Sequence, residues 1–316
     1  MAWMGDRLVD VADGWRSLYP GLLERRFAPY GDPFDAAVTA PAGDVCALVA
    51  SAGTKGLLLG PNGQIVREIN RSYYQAEAYR YPLALFTLPD GRTALAHCPE
   101  RYNRLEIEVP STGELLTRTG ERRPSDIFHS RLAVSGDGKL LLSAGWLWHP
   151  WGSLHVYDIA AALDNAQELD SPGGVFDMRG LISAEVAGAC FVGGDVALST
   201  TAEENDPDGP DDLGPLMLAR WSTRTRRFLW RRSLQESPGD LLSWAGHILA
   251  LNRHPRLYDA ETGELLSEWP DLPTGESCSA ITWDDTFRGP ARVAIDRATQ
   301  RLAFTDGQRV VILDPA

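Results

Sequence analysis

The chain has 316 residues, of which 44% are hydrophobic, with 30 basic and 43 acidic side chains and a formal net charge of −13. That is enough apolar material for a sizeable core, which excludes a disordered chain. No run of about 18 apolar residues occurs, so no membrane helix is expected, and the acidic balance argues against a nucleic-acid partner, whose binders cluster Lys and Arg.

The N-terminus, MAWMGDRLVDVADGW, carries acidic residues and no basic segment ahead of an apolar core, so it does not read as a signal peptide. Residues 1–19 are expected to form an extension, with a short helix as its form. From there one grammar recurs. DAAVTAPAGDVCALVAS (35–51), LALFTLPDGRTALAHC (83–98), RLAVSGDGKLLLSAGW (131–146), AGACFVGGDVALST (187–200), DLLSWAGHILALN (240–252) and RVAIDRATQRLAFTD (292–306) each place a turn between two apolar runs. Runs of this length bounded by Gly, Asp and Pro read as strands and tight turns. Each pair is followed by a second hairpin, clearest in RLYDAETGELLSEW (256–269) and RLEIEVPSTGELLTR (104–118), shorter in GLLLGPNGQIVREI (56–69), and without its Gly in LMLARWSTRTRRFLWRR (216–232). In SLHVYDIAAALDNAQEL (153–169) a short helical insertion replaces the turn.

The unit is therefore four antiparallel strands, a to d, whose first strands begin near residues 36, 84, 132, 187, 241 and 291. Four-stranded units repeating every 40–50 residues or so are the signature of a β-propeller, because a single such sheet cannot bury both of its faces. The fold expected is all-β: a propeller of four-stranded antiparallel blades spanning residues 20–316 as one domain, with six blades, or seven if SAITWDD (279–285) belongs to a degenerate one. The last unit stops at RVVILDPA (309–316), at the end of its c strand, and PGLLERRF (20–27) looks like a d strand without a partner. The N-terminal strand at residues 22–27 is thus expected to close the ring beside residues 310–313, leaving no open sheet edge.

The strand–Asp-Gly–strand and LYDxxTGELL patterns resemble WD-repeat-like and quinoprotein-like β-propellers over about residues 20–316. The Trp-Asp dipeptide of true WD repeats is replaced by Tyr157-Asp158, Tyr258-Asp259 and Leu313-Asp314, and the literal Trp283-Asp284 falls outside the repeat position. What the resemblance implies is a platform that binds proteins or small ligands; it does not imply a reaction.

The four cysteines, Cys46, Cys98, Cys190 and Cys278, form no close pair of the kind a disulfide framework or zinc site shows. Cys46 and Cys190 lie in apolar runs and read as core residues, and a cytoplasmic protein is expected.

The a–b and c–d turns are mostly short. The b–c and d–a loops, at the other end of each unit, are longer and richer: NRSYYQAEAYRYP (70–82), HCPERYN (97–103), GWLWHPWG (145–152) and NRHP (252–255). Binding residues concentrate on loops held by a rigid scaffold, so the working face is expected there. Trp146, Trp148, His149 and Trp151 fall within six residues, and Trp, Tyr and Arg dominate binding hot spots. With Arg101, Tyr102, Arg253 and His254 they make the expected partner-binding set; the same aromatic rings are equally suited to filling the space between blades. The segment 203–212 has six carboxylates in ten residues and is similar to part of a calcium loop, but Pro215 stands where such a loop needs its bidentate Glu; a solvated loop is the plainer reading. His97, His149 and His254 come from equivalent b–c segments and define a metal alternative.

No GxSxG, phosphate loop or dinucleotide motif is present, and nothing pairs Glu100, Asp126 or Asp177 for acid–base work. The function expected is a non-catalytic protein-interaction scaffold with a protein partner and no cofactor. The alternatives are a metal-assisted, lactonase-like hydrolase and a small-ligand sensor, each with its site at the channel mouth.

Overall fold

Successive residues of these short apolar strands point to opposite sides, so a strand between two neighbours must feed two cores. Leu141 packs into one core with Phe86, Ile107 and Tyr157, and the next residue, Leu142, into another with Val186, Phe191 and Trp221. Val196 and Leu198 face one core and Ala197 between them faces the next. Burying a side chain such as Leu142 contributes about 1.5–3 kcal/mol.

The computed structural model describes residues 1–22, 24–118, 121–148, 152–171, 175–177, 181–204, 208–209, 212–276, 292–305 and 309–315. They form an all-β structure of seven small antiparallel sheets. The first holds β1 (Ala2–Met4), β2 (Arg7–Asp10) and β3 (Arg16–Tyr19); the second, β4 (Ala36–Thr39), β5 (Cys46–Val49), β6 (Lys55–Leu59) and β7 (Ile65–Asn70). The third holds β8 (Leu83–Thr87), β9 (Thr93–His97) and β10 (Glu106–Glu108); the fourth, β11 (Phe128–Val134), β12 (Leu140–Trp146), β13 (Gly152–Asp158) and β14 (Phe176–Asp177). The fifth holds β15 (Ala184–Val192), β16 (Asp195–Glu204), β17 (Met217–Ser222) and β18 (Arg227–Ser233); the sixth, β19 (Leu241–Trp244), β20 (His247–Ala250), β21 (Arg256–Tyr258) and β22 (Leu265–Glu268). The seventh holds β23 (Val293–Ile295), β24 (Leu302–Thr305) and β25 (Val310–Leu313).

The repeat grammar matches four of these sheets strand for strand; the first, third and seventh hold three strands among the described residues, and in the third the expected hairpin at 104–118 is reduced to β10 and a single bridge between Glu108 and Leu115. Gly91 (φ 86°) and Gly138 (φ 72°) supply the left-handed backbone of two of the Asp-Gly turns. The insertion after Tyr157 is helix α1 (Ile159–Asp164), where the Asp158 carboxylate accepts the Ala161 amide at 2.9 Å, and a 3-10 turn follows at Ala166–Leu169. No helix among the described residues is long and apolar enough to cross a membrane.

Three expectations are corrected. Among the described residues the sheets number seven, not six, and the additional one is built from residues 2–19. That segment is a meander of three strands and not a helix: Gly5 and Asp6 turn β1 into β2, with Met4 opposite Arg7. The alternative seventh unit at 279–285 lies outside the described residues. Nor do the described residues of 22–27, Leu22 and Glu24 to Phe27, pair with β25. Leu22 is 71% exposed, the amides of Arg26 and Phe27 donate to Gly14 O at 2.9 and 3.0 Å, and Arg25 Nε meets Asp13 Oδ1 at 2.5 Å. The carbonyl and carboxylate of the β2–β3 turn thus hold this segment against the first sheet.

Each sheet shares a core with the next in chain order. Trp15 and Leu48 lie in the core of the first and second sheets, Val49 and Leu83 in that of the second and third. Val192 and Ile248 belong to the core of the fifth and sixth, Trp244 and Phe304 to that of the sixth and seventh. The last sheet meets the first in a core of Trp3, Leu8 and Ala303. The first strands approach one another closely: a Cβ on Gly188 would lie 2.5 Å from Gly239 O, which accepts Ser199 Oγ at 3.0 Å. Asp240, just before β19, ion-pairs with Arg80, just before β8, and with Arg131 of β11 at 3.4 Å, so one carboxylate ties the third, fourth and sixth sheets together.

Candidate functional site

The aromatic residues of the b–c and d–a loops converge on Phe128, the first residue of β11. Tyr102 stacks on its ring at 4.5 Å between centroids, Trp146 lies at 4.6 Å, Trp148 edge-on at 5.1 Å, Tyr79 at 5.3 Å and Tyr74 at 5.9 Å. Tyr74 also meets Tyr102 at 5.0 Å and Trp148 at 6.5 Å. The cluster therefore joins the loop between the second and third sheets, the b–c loop of the third, and both ends of the β11–β12 hairpin's open side. Its base is buried, with Trp146 at 1% exposure, and its rim is open, with Tyr74 at 46% and Trp148 at 41%.

The polar edges of the rim meet on Asp126. The Tyr102 hydroxyl donates to Oδ1 at 2.5 Å and Trp148 Nε1 to Oδ2 at 3.3 Å. Burial, and then the Asp126 carboxylate that accepts its proton, push the Tyr102 hydroxyl up to about 12, so it stays a donor. Trp148 is held at φ 113°, a left-handed conformation that costs a tryptophan of the order of 1–3 kcal/mol.

Two buried arginines hold the loops beneath this rim. Arg71 donates to the carbonyls of Gly53 at 2.7 Å, Ala76 at 2.6 Å and Tyr79 at 3.0 Å, and lies over the Tyr79 ring at 4.4 Å. It thereby folds residues 71–79 into the bend that carries Tyr73 and Tyr74. Arg122 pairs with Asp170 at 2.7 Å and Glu106 at 3.0 Å, while Asp170 also accepts the Arg123 amide at 2.7 Å and its carbonyl the Ser125 amide at 2.7 Å. That strap fixes residues 122–125 and so places Asp126.

Of the residues expected from the sequence, Trp146, Trp148 and Tyr102 come together here, and Arg101 is exposed beside Tyr102. Trp146 serves as core, whereas Trp148 is accessible. His149 and Trp151 lie outside the described residues. Arg253 and His254 belong to the sixth sheet, where Arg253 pairs with Glu236 at 2.9 Å and Glu276 at 3.4 Å, and His254 Nε2 sits 3.3 Å from Glu268. Sequence reasoning missed Asp126 and Phe128 as parts of the cluster. Their one signal is position, since DIF (126–128) opens the third unit directly above the Trp-rich turn.

Of the metal alternative's histidines, His149 lies outside the described residues, and His97 and His254 each face a glutamate of their own sheet. His97 Nε2 is 3.2 Å from Glu108, which also pairs with Arg67, and among the described residues no group of three His, Cys, Asp or Glu is placed to hold an ion. Burial raises the Glu108 carboxyl, but the contacts with His97 and Arg67 together outweigh it and hold it below its ordinary value. In the acidic stretch Asp212 accepts from Arg231 at 3.1 Å; residues 205–207, 210 and 211 lie outside the described residues. Cys46, Cys98 and Cys190 are buried free thiols, those of Cys46 and Cys190 pushed by burial up to about 12 and therefore inert. Models of known protein families give no match to this chain, and no curated protein matches it.

Proposed function

We propose that the seven sheets are the blades of a seven-bladed β-propeller and that the chain is a non-catalytic protein-interaction platform. The succession of shared cores, running from the first sheet to the seventh and back to the first, supports the architecture. The observation that carries the function is the Tyr74–Tyr102–Trp148 rim: exposed Tyr74 and Trp148 beside half-buried Tyr102, packed on Phe128 from below, with Tyr102 and Trp148 also bonded to Asp126, on the loop end of the sheets. Pre-ordered aromatic side chains bury a large area with little loss of rotamer freedom, the property of hot-spot residues. The net charge of −13 favours a protein over a nucleic acid as the partner, and the three buried thiols fit a reducing, cytoplasmic setting.

The test compares wild type with a Tyr74→Ala, Trp148→Ala variant of matched melting temperature in capture of host proteins. A partner held by wild type and lost by the variant supports this face as the platform. A partner held equally by both removes the aromatic rim from the interface.

A further inference from the structure

On this acidic chain five arginines gather within nine residues: Arg224, Arg226, Arg227, Arg231 and Arg232. All five are exposed. Arg231 pairs with Asp212 at 3.1 Å and Arg232 with Glu264 at 3.6 Å, but Arg224, Arg226 and Arg227 pair with no carboxylate among the described residues. They sit on the β17–β18 turn and the start of β18. This strand is the outermost of the fifth sheet, bonded to β17 along one edge and to no strand of the described residues along the other. At seven residues it is the longest of the four outer strands β7, β14, β18 and β22.

We propose that β18 receives an extended acidic polypeptide segment of a partner protein as an added strand. Backbone groups along an open edge supply hydrogen bonds to any extended chain, and the side chains beside them decide which chain is accepted. Here the cations repel basic segments and favour those carrying Asp or Glu. Leu229, 46% exposed amid the arginines at a register shift of β18, offers an apolar contact beside them. Phe228 packs against the core of the fourth and fifth sheets, and Trp230 Nε1 donates to Ala260 O of the sixth sheet at 2.9 Å. Neither ring is thus presented for stacking on bases, which a single-stranded nucleic acid would use. This edge is distinct from the aromatic rim, since c–d turns lie at the end of a sheet opposite its b–c loop.

The experiment is fluorescence anisotropy with the full chain and a labelled alternating Glu-Val nonapeptide. Controls are its Lys-Val counterpart, a Glu-Val peptide N-methylated at alternate amides, and a single-stranded oligonucleotide of equal charge. We expect saturable binding of the Glu-Val peptide alone, weakened by salt and about tenfold weaker with an Arg224→Gln, Arg226→Gln, Arg227→Gln variant, the sum of modest exposed pairs. These substitutions are on the surface, and an unchanged melting temperature checks the fold. The proposal is overturned by no saturable binding, by equal binding to the variant, by equal binding of the N-methylated peptide, or by tighter arginine-dependent binding of the oligonucleotide. A wild-type dimer that the variant dissociates would also overturn it, since the occupant would then be a second copy of this chain.

Discussion

The guanidinium of Arg301 lies 4.3 Å above the ring of Trp3, and this contact joins the last sheet of the chain to the first. Trp3 Nε1 also donates to Ala294 O at 3.2 Å, and its ring meets Tyr19 edge-on at 5.9 Å. The ends of the chain are thus held together by side chains, where the sequence suggested a shared sheet.

Replacing Trp3 with Ala removes all three contacts and opens a cavity beside Leu8 and Ala303. We expect a loss of about 3–5 kcal/mol, read from the midpoint of urea unfolding. Deleting residues 1–19 should cost more. A truncated chain that unfolds at the wild-type midpoint would show that the first sheet is not part of the cooperative unit.

Asp240 neutralises Arg80 and Arg131 where all three side chains are largely withdrawn from water, with 13%, 14% and 12% exposure. Asp240→Asn removes the carboxylate charge that Arg80 and Arg131 share, for an expected cost of about 3–5 kcal/mol. Adding Arg80→Met should restore part of it. A double-mutant cycle measures the coupling, and additive effects would mean that the pair is not linked.

The His129 ring is buried with Nδ1 2.8 Å from Ser143 Oγ, and burial, then the neighbouring His155, hold its pKa down at about 3 from an ordinary 6.5. The folded state keeps this ring neutral, while the unfolded chain takes up a proton below 6.5. Its contribution to stability is therefore complete above pH 6.5 and is lost as pH falls from there toward 3, at about 1.4 kcal/mol per unit. His129→Gln should flatten that acid limb. Equal losses of melting temperature between pH 7 and pH 4.5 in the two proteins would assign the limb to other groups.

Trp146 and Trp148 are two residues apart and should behave oppositely. Trp146→Ala empties the base of the aromatic cluster and should cost about 3–5 kcal/mol. Trp148→Ala should change stability by about 1 kcal/mol or less while weakening capture of a partner. Thermal melts and partner capture on the same preparations separate the two roles; a Trp148 variant that unfolds like the Trp146 variant would place both rings in the core.

The repeat grammar determined a good deal without coordinates. Alternating apolar runs and Asp-Gly turns are local signals, so the first strands expected near residues 36, 84, 132, 187, 241 and 291 lie within a few residues of the starts of β4, β8, β11, β15, β19 and β23. The helical insertion after Tyr157 was legible for the same reason, as were buried Cys46 and Cys190. The first sheet was within reach too. AWM-GD-RLVD is a hairpin pattern with a Gly-Asp turn, hidden because its strands are shorter than those of the later units and its third strand follows a five-residue bend.

What only the tertiary structure decided concerns partners distant in the chain. Whether residues 22–27 pair with β25 depends on what else competes for them, and Gly14 O and Asp13 are closer. Asp126 becomes part of a site only when the Arg122–Asp170 strap brings it under Tyr102 and Trp148. Trp146 and Trp148 are the same residue type two positions apart, and no pattern in the sequence distinguishes them. The strand ends at Trp146, whose side chain is still directed into the core, and past that end Trp148 turns outward with a left-handed backbone. Strand periodicity is written in neighbouring residues, whereas burial at a loop is set by which distant loops fold over it.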